Sequence, residues 1–178
     1  PRSVTENGKL IGYGMGGGVF GAYRGNATVK AVLTLEGKLT LMSAVSDMGP
    51  GTATAMVSIA ADTMQMPHNK ISFLLGDTEF PNGPTQGGSA TTSTLGGAVS
   101  MVCDTLKKQL TEIALGLPLF SGMAAADLEF GNDSLYAKTA ASKKISIAEL
   151  VKSTGKPQLE VIKESGPDMA VMQKYAMN

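Results

Sequence analysis

The longest periodic apolar segment of the chain places the strongest limit on its fold. From Leu95 to Ile113, apolar residues recur every three or four positions, which puts them on one face of a helix. Ser93 opens this segment, and Gly116 and Pro118 break it. The pattern therefore predicts a long helix with one buried face.

Several shorter runs have the character of strands. The β-branched and apolar runs at 29–35 and 39–45 flank the short Gly-containing connection 36–38, which is typical of a hairpin. Further strands are predicted at 9–23, where glycines interrupt the apolar residues, at 71–75, at 127–130 and 134–138 as a second hairpin, and at 158–164.

Two further helices complete the predicted order of elements. Apolar residues at helical spacing follow Thr52 and stop at Pro67, so we expect a helix over about 52–65. A short helical segment at 147–152 follows the capping residue Ser146. This order predicts an α+β fold in which two main helices pack on a mixed β-sheet.

Composition excludes several classes of function. A chain of 178 residues fits one domain, so 1–178 is predicted to be a single unit. Fifteen basic residues balance fifteen acidic ones, which argues against nucleic acid and anionic membranes as partners. No apolar run reaches the length of about 18 residues that suggests a membrane span. Cys103 and His68 are the only residues of their types, which excludes an internal disulfide and a Cys/His zinc cluster.

Other features are more simply structural. His68 lies in a turn after Pro67, and the chain has no G-x-S-x-G motif, so a histidine-based triad is not expected. Residues 16–21 fit G-x-G-x-x-G, either as a phosphate loop or as glycines at strand bends under close-packed neighbours, and the absence of a following helix favours the second. Core packing is the expected role of Cys103 and of four methionines, Met56, Met64, Met66 and Met101.

A Gly-rich turn leads directly into the first predicted helix. In Gly49-Pro50-Gly51-Thr52-Ala53-Thr54, the first helical N–H groups lack intrahelical partners, and two threonine hydroxyls lie beside them. Such a helix start attracts anions without a basic residue. The alternative is an ordinary Thr-capped helix.

A second glycine turn precedes the long helix. Residues 87–93, Gly-Gly-Ser-Ala-Thr-Thr-Ser, contain four hydroxyl side chains, although one cap needs only one. Asp77 and Thr78 close the strand between the two turns, a position typical of ligand-binding side chains. We expect the two helix starts and Asp77 to line one cleft; a solvated polar loop is the alternative.

The ordered set of these motifs resembles a known family. The segments 46–52, 59–62, 76–78 and 88–92 are similar, in this order and spacing, to the second molybdopterin-binding region of the xanthine dehydrogenase and aldehyde oxidase large subunit. The resemblance covers about residues 10–115 well and the tail more loosely. It implies a piece of a larger subunit that binds molybdopterin, as the cytosine dinucleotide form in bacterial members.

The resemblance also implies which residues touch the cofactor. The protein would leave molybdenum uncoordinated by side chains, so no metal ligands are predicted. The implied cofactor-binding residues are Gly49, Gly51, Thr52, Thr54, Asp77, Thr78, Gly88, Ser89, Ala90, Thr91, Thr92 and Ser93. The first four residues would contact phosphate or pterin groups. Asp77 and Thr78 would contact the nucleotide side, and the last six residues would contact the pterin and pyrophosphate.

The sequence departs from the family pattern at two positions and lacks its catalytic motif. Pro50 stands where members often have Gln, and Ala90 where they often have Arg. Proline removes a side-chain amide and a backbone donor near the metal. The Gly-Glu-Pro type motif that carries the family's catalytic Glu is absent, so no catalytic residue is predicted here.

These observations lead to a functional expectation with an alternative. The parent enzyme would hydroxylate aldehydes or N-heterocycles with oxygen from water and pass electrons to iron–sulfur and FAD partners. We expect a cytoplasmic location, with the periplasm as the alternative, contacts with the rest of the subunit, and weak self-association of the isolated piece. The alternative function is a non-catalytic interaction domain without cofactor.

Overall fold

The structure of the protein is a computed structural model that describes residues 4–19, 21 and 23–168. Its strands are β1 (Thr5–Glu6), β2 (Lys9–Leu10), β3 (Ala27–Thr34), β4 (Leu39–Ser43), β5 (Ile71–Leu75), β6 (Leu128–Gly131), β7 (Ser134–Ala137), β8 (Ala140–Ser146) and β9 (Gln158–Ser165). The α-helices are α1 (Thr52–Met64), α2 (Thr91–Leu115) and α3 (Ile147–Ser153), and single turns of 3₁₀ helix lie at 68–70, 118–120 and 125–127.

A four-stranded mixed sheet forms the centre of the fold, in the order β5-β4-β3-β9. β4 and β5 are parallel, whereas β3 is antiparallel to both β4 and β9. Burial alternates strictly along β3, because successive side chains point to opposite faces of a sheet. Val29, Ala31 and Leu33 are fully buried on the face that the helices cover, while Lys30 on the other face pairs with Glu160.

The two main helices cover one face of this sheet. α1 connects the parallel strands β4 and β5, since parallel neighbours need a crossover connection. α2 buries a continuous apolar stripe that includes Leu95, Val99, Val102, Leu106 and Leu110. None of the described helices combines the length and the apolar character that crossing a membrane requires.

A smaller antiparallel sheet, β6-β7-β8, contacts α3, which packs against the long helix. Leu128, Leu135 and Ala137 of this sheet are buried in the same apolar cluster as the central strands. Ser146 caps α3 through a capping box with Glu149. One core therefore serves both sheets.

Most of the predicted elements are confirmed. The α+β class, the mixed sheet with two main helices, the first hairpin, the helix at 52–65 and the strand at 71–75 all occur. The second hairpin, the short helix after Ser146 and the last strand are also present. The long helix begins at Thr91, two residues before the predicted start.

The predicted strand at 9–23 is wrong for the described residues. Only Lys9–Leu10 is a strand, and 11–19 has no regular structure; Phe20 and Ala22 lie outside the described residues. Tyr13, Met15 and Val19 are exposed, and an ideal Cβ on Gly16, Gly17 or Gly18 would meet nothing within 4 Å. The expectation of close-packed neighbours around these glycines is therefore also wrong.

Two further details differ from the sequence prediction. Strand β8 was not predicted, because its sequence Ala-Ala-Ser-Lys-Lys-Ile-Ser has little apolar content. In the structure, burial does not alternate along this strand either. Met101 is 42% exposed, so it is not core, whereas Met56, Met64 and Met66 are buried as expected. Cys103 is fully buried.

Candidate functional site

The topology brings both Gly-rich turns to one edge of the central sheet. The parallel strands β4 and β5 end at the same edge, and each is followed by a loop that enters a helix. The first loop, 44–51, leads to α1, and the second, 76–90, leads to α2. The edge beyond the carboxyl ends of parallel strands is where ligands bind in open sheets with such crossovers.

Backbone hydrogen bonds fasten the second loop to the strand ends. Ala44 N donates to Pro81 O at 2.7 Å, and Thr28 N donates to Asn82 O at 2.8 Å. An ideal Cβ on Gly83 would lie 2.8 Å from Val45 N, so only glycine fits there without moving the backbone. The loop is therefore held close against β3 and β4.

The start of α1 has donors that no described side chain caps. Gly49 and Gly51 have φ values of 103° and 82°, which glycine adopts without strain. Asp47 accepts hydrogen bonds from Gly49 N at 2.9 Å and from Thr52 Oγ1 at 3.4 Å. Thr52 is buried, whereas Thr54, two residues further along the first turn, is exposed. The N–H groups of the first turn thus remain available to a ligand.

The start of α2 is similar in character. Gly88 and Ser89 have φ values of 59° and 54°, and Ala90, in the capping position, offers no side-chain acceptor. Thr91 is buried and its hydroxyl donates to Gln86 Oε1 at 2.7 Å. Thr92 is exposed at the first turn. Left-handed residues before an uncapped helix start aim backbone amides outward, as in anion-binding nests.

A surface pocket of about 420 Å³ lies between the two helix starts. Its lining consists of Met48, Pro50, Gln86, Gly87, Gly88, Ser89, Thr91 and Thr92. None of these described residues carries a formal charge, so backbone amides, hydroxyls and the Gln86 amide would supply its polar contacts. Pro50 contributes an apolar ring here, and no backbone donor.

A second pocket, of about 540 Å³, lies on the other side of the Gly87-Gly88 turn. The backbone of that turn lines both pockets and separates them. The segment before β3 forms the opposite wall, and its Arg24 is the only charged residue among the described residues that line the pocket. The two pockets together offer polar backbone on one side and a cation on the other.

The predicted site residues divide between these surroundings. Gly88, Ser89, Thr91 and Thr92 line the first pocket, and Gly88 and Ala90 line the second. Gly49, Gly51, Thr52 and Thr54 lie at the start of α1 but outside both linings, which instead include their neighbours Met48 and Pro50. The structure therefore brings the start of α2 and the turn before α1 to one pocket.

Three predicted residues have other partners. The Ser93 hydroxyl lies 2.9 Å from the backbone oxygens of both Tyr23 and Ala90, which share its single donor proton. Asp77 accepts a hydrogen bond from Glu79 N at 2.9 Å in a local turn, and neither Asp77 nor Thr78 lines either pocket. The predicted contacts of Asp77 and Thr78 with the nucleotide side of the cofactor stay a prediction.

Sequence reasoning missed two polar residues of this region. Gln86 immediately precedes the Gly-Gly turn, and Arg24 follows the Gly-rich stretch before β3. Their positions next to glycine turns were the available signal. Within the described part of the chain, no group of three or more His, Cys, Asp or Glu side chains is placed to hold a metal ion.

The sequence matches one protein family over nearly its whole length. The profile of the molybdopterin cofactor-binding domain covers residues 2–176. Among curated proteins, the aldehyde oxidoreductase molybdenum-binding subunit PaoC of Escherichia coli strain K12 is 28% identical over 112 residues, which is 62% of this chain and 15% of that subunit. The chain thus spans about 15% of the length of the curated relatives it matches.

Solved structures share the fold. The reconstituted CO dehydrogenase from Oligotropha carboxidovorans has a TM-score of 0.71 and 22% identity, over 82% of this chain and 18% of that one. The quinoline 2-oxidoreductase from Pseudomonas putida 86 has a TM-score of 0.62 and 20% identity, over 81% of this chain and 19% of that one. Both similarities concern the fold alone.

Proposed function

This chain belongs to the molybdopterin cofactor-binding domain family, and we propose that its two helix starts form part of the cofactor cradle of a molybdenum-dependent oxidoreductase. The observation that carries the proposal is the shared pocket between the turn before α1 and the turn before α2. The uncapped start of α2 and the turn before α1 border this cavity, an arrangement suited to an anionic ligand with several polar groups.

The residues present fit such a ligand. The described lining of the first pocket has no acidic side chain that would repel a phosphate, and it offers the hydroxyls of Ser89 and Thr92 beside free helical amides. The Gln86 amide, which can both donate and accept, suits the edge of a pterin. These residues would hold the cofactor, and molybdopterin, when bound, would supply the redox chemistry of its metal.

The finer details of the proposal concern the parent enzyme. We infer that the cofactor is the cytosine dinucleotide form and that the enzyme hydroxylates aldehydes or N-heterocycles. The name of PaoC, an aldehyde oxidoreductase subunit, and that of the quinoline 2-oxidoreductase support these two substrate classes. Iron–sulfur and FAD subunits or domains are the proposed electron acceptors, with the rest of the molybdenum-binding subunit as the immediate partner and the cytoplasm as the location. A non-catalytic interaction domain without cofactor has no support in the family match.

The test uses the full subunit that contains this chain. Molybdenum is measured by elemental analysis, and cytidylate is measured after its acid release from the cofactor. We expect about equal amounts of both in the wild type. Molybdenum without cytidylate would contradict the dinucleotide form, and the absence of both would contradict the proposed function.

A pair of variants on α2 locates the site. Thr92→Glu places a carboxylate in the first helical turn, where the helix dipole favours it, so the protein should stay folded. The same carboxylate would repel a phosphate in the pocket, and we expect cofactor content to fall about tenfold, which corresponds to about 1.4 kcal/mol. Thr105→Glu, further along the same helix, is the control and should retain the cofactor. Equal cofactor content in both variants would place the cofactor elsewhere.

A further inference from the structure

Arg24 is fixed by the first turn of α2 through the backbone on both of its sides. On the N-terminal side, the Ser93 hydroxyl donates to Tyr23 O at 2.9 Å. On the C-terminal side, Gly25 N donates to Thr94 Oγ1 at 3.0 Å, and Thr94 is fully buried. Two adjacent hydroxyl residues therefore hold the peptide groups that flank one arginine, which accounts for part of the excess of hydroxyl residues at this helix start.

The guanidinium group of Arg24 is also held in a defined position. Its Nη2 donates to Ser165 Oγ at 3.0 Å, and Ser165, at the end of β9, is buried. An ideal Cβ on Gly97 would lie only 2.5 Å from Nη2, so the guanidinium occupies the space that the side chain of any other residue type at position 97 would need. Glycine is unfavourable inside a helix, and the close approach of the Arg24 guanidinium explains its presence at position 97.

The arrangement leaves most of the guanidinium donors available. Arginine has five N–H donors, and the hydrogen bond to Ser165 uses one. The ion pairs found among the described residues are Lys30 with Glu160 and Lys70 with Asp133, and neither includes Arg24. A cation that is held in place but not neutralised, in a pocket without described acidic residues in its lining, is suited to bind an anion.

We propose that Arg24 is the anion-binding residue of the second pocket and that it binds a phosphate group of the cofactor's nucleotide portion across the Gly87-Gly88 turn. This inference rests on the proposed function. The shared turn gives the phosphates backbone amides on one side, and Arg24 gives them a positive charge on the other. The alternative is that Arg24 only ties the segment before β3 to α2 and β9.

Titration of the 178-residue chain with pyrophosphate and with cytidine diphosphate separates these roles. We expect Arg24→Gln to weaken binding of both probes at least tenfold, and Arg24→Lys to weaken it less, because lysine keeps the charge but not the planar fork. Lys143→Gln, which removes one positive charge from β8, is the control and should bind as the wild type does. Unchanged binding in Arg24→Gln would overturn the proposal.

Gly97→Ala provides a test that does not change the arginine. Alanine favours the helix, so the variant should be as stable as the wild type or more so, yet its methyl group displaces the guanidinium. We expect weaker probe binding at unchanged or higher thermal midpoint. Wild-type affinity in this variant would contradict the role of this guanidinium position. Equal affinity for inorganic phosphate and cytidine diphosphate would contradict a nucleotide ligand.

The full subunit distinguishes this inference from the proposed function. If the wild-type subunit contains molybdenum and cytidylate, Arg24→Gln should lower the cytidylate content; an unchanged content overturns the inference and leaves the function standing. If the wild-type subunit contains neither, the proposed function fails. Arg24-dependent pyrophosphate binding by the chain would then indicate a site for a free phosphate, and the assignment to the cofactor would be withdrawn.

Discussion

Lys70 and Asp133 form an ion pair that joins the segment after α1 to the turn between β6 and β7. Asp133 N also donates to Gln65 O at 2.9 Å, and Ile147 N donates to Asp133 O at 3.1 Å. One turn residue thus connects α1, the small sheet and α3. The side chain of Asp133 is 16% exposed, and its Oδ1 is buried without a hydrogen-bond partner among the described residues.

We predict that Lys70→Met destabilises the protein. The substitution leaves a largely buried carboxylate without its cation, and such a group costs about 1–3 kcal/mol of unfolding free energy. Urea denaturation measures the loss. Adding Asp133→Asn should recover most of it, because asparagine removes the charge and still adopts the positive φ of 60°. A double variant no more stable than Lys70→Met would show that the pair is not responsible.

Periodicity predicted the framework because those elements bury one face. α2 and the β3–β4 hairpin have apolar residues at the spacing that their secondary structure requires, so local pattern and tertiary burial agree. The segment 9–23 has equally apolar residues, but described side chains such as Tyr13 and Met15 are exposed, and a strand needs a partner that the pattern cannot reveal. β8 shows the converse, since pairing with β7 forms a strand from a polar sequence.

The candidate site was predictable only in part, for a related reason. Glycine turns and helix starts are local features, so residues 88–92 were found from the sequence. Arg24 lies about seventy positions from the first turn of α2, and only the fold shows that its neighbours Tyr23 and Gly25 form hydrogen bonds with Ser93 and Thr94. Asp77 was assigned from its position after a strand, but its carboxylate bonds locally to Glu79 N.

The cap of α3 should make stability depend on pH. The Ser146 hydroxyl and the Ser146 backbone N–H both donate to the Glu149 carboxylate. These hydrogen bonds, of which the one from the hydroxyl has the larger effect, lower the pKa of Glu149 below 4.5. Because the folded-state pKa is depressed, the stabilisation is present above the unfolded-state pKa near 4.5 and is lost as pH falls through the folded-state value. Thermal midpoints between pH 3 and pH 6, measured at constant ionic strength, should reveal this dependence.

Two variants isolate that contribution. Ser146→Ala should cost about 1 kcal/mol at pH 7 through loss of the cap, and the difference from wild type should shrink at low pH. Glu149→Gln keeps the geometry of a capping box but cannot ionise. If wild type and Glu149→Gln lose stability equally between pH 5 and pH 3, this carboxylate is not the source.

Cys103 should be unreactive in the native protein. It is fully buried on α2, and burial raises the pKa of its thiol to about 12, with a smaller contribution from Asp104. The thiolate is the reactive form, so a thiol reagent at pH 8 should modify the residue only after unfolding. Labelling followed across a urea gradient should coincide with the loss of helical circular dichroism. Labelling well before that transition would show that α2 opens locally.

Gly83 offers the most direct link between stability and the candidate site. An alanine Cβ would lie 2.8 Å from Val45 N and 2.9 Å from Val45 Cα, and backbone atoms cannot move aside as a side chain can. Gly83→Ala should therefore displace the loop 76–90 from the strand ends, at a cost of about 1–3 kcal/mol. Hydrogen exchange should increase at 76–90 more than in β3, and the full subunit should retain less molybdenum. Gly12→Ala is the matched control, because its Cβ would meet nothing within 4 Å. Unchanged exchange in the Gly83 variant would mean that this close contact does not hold the loop in place.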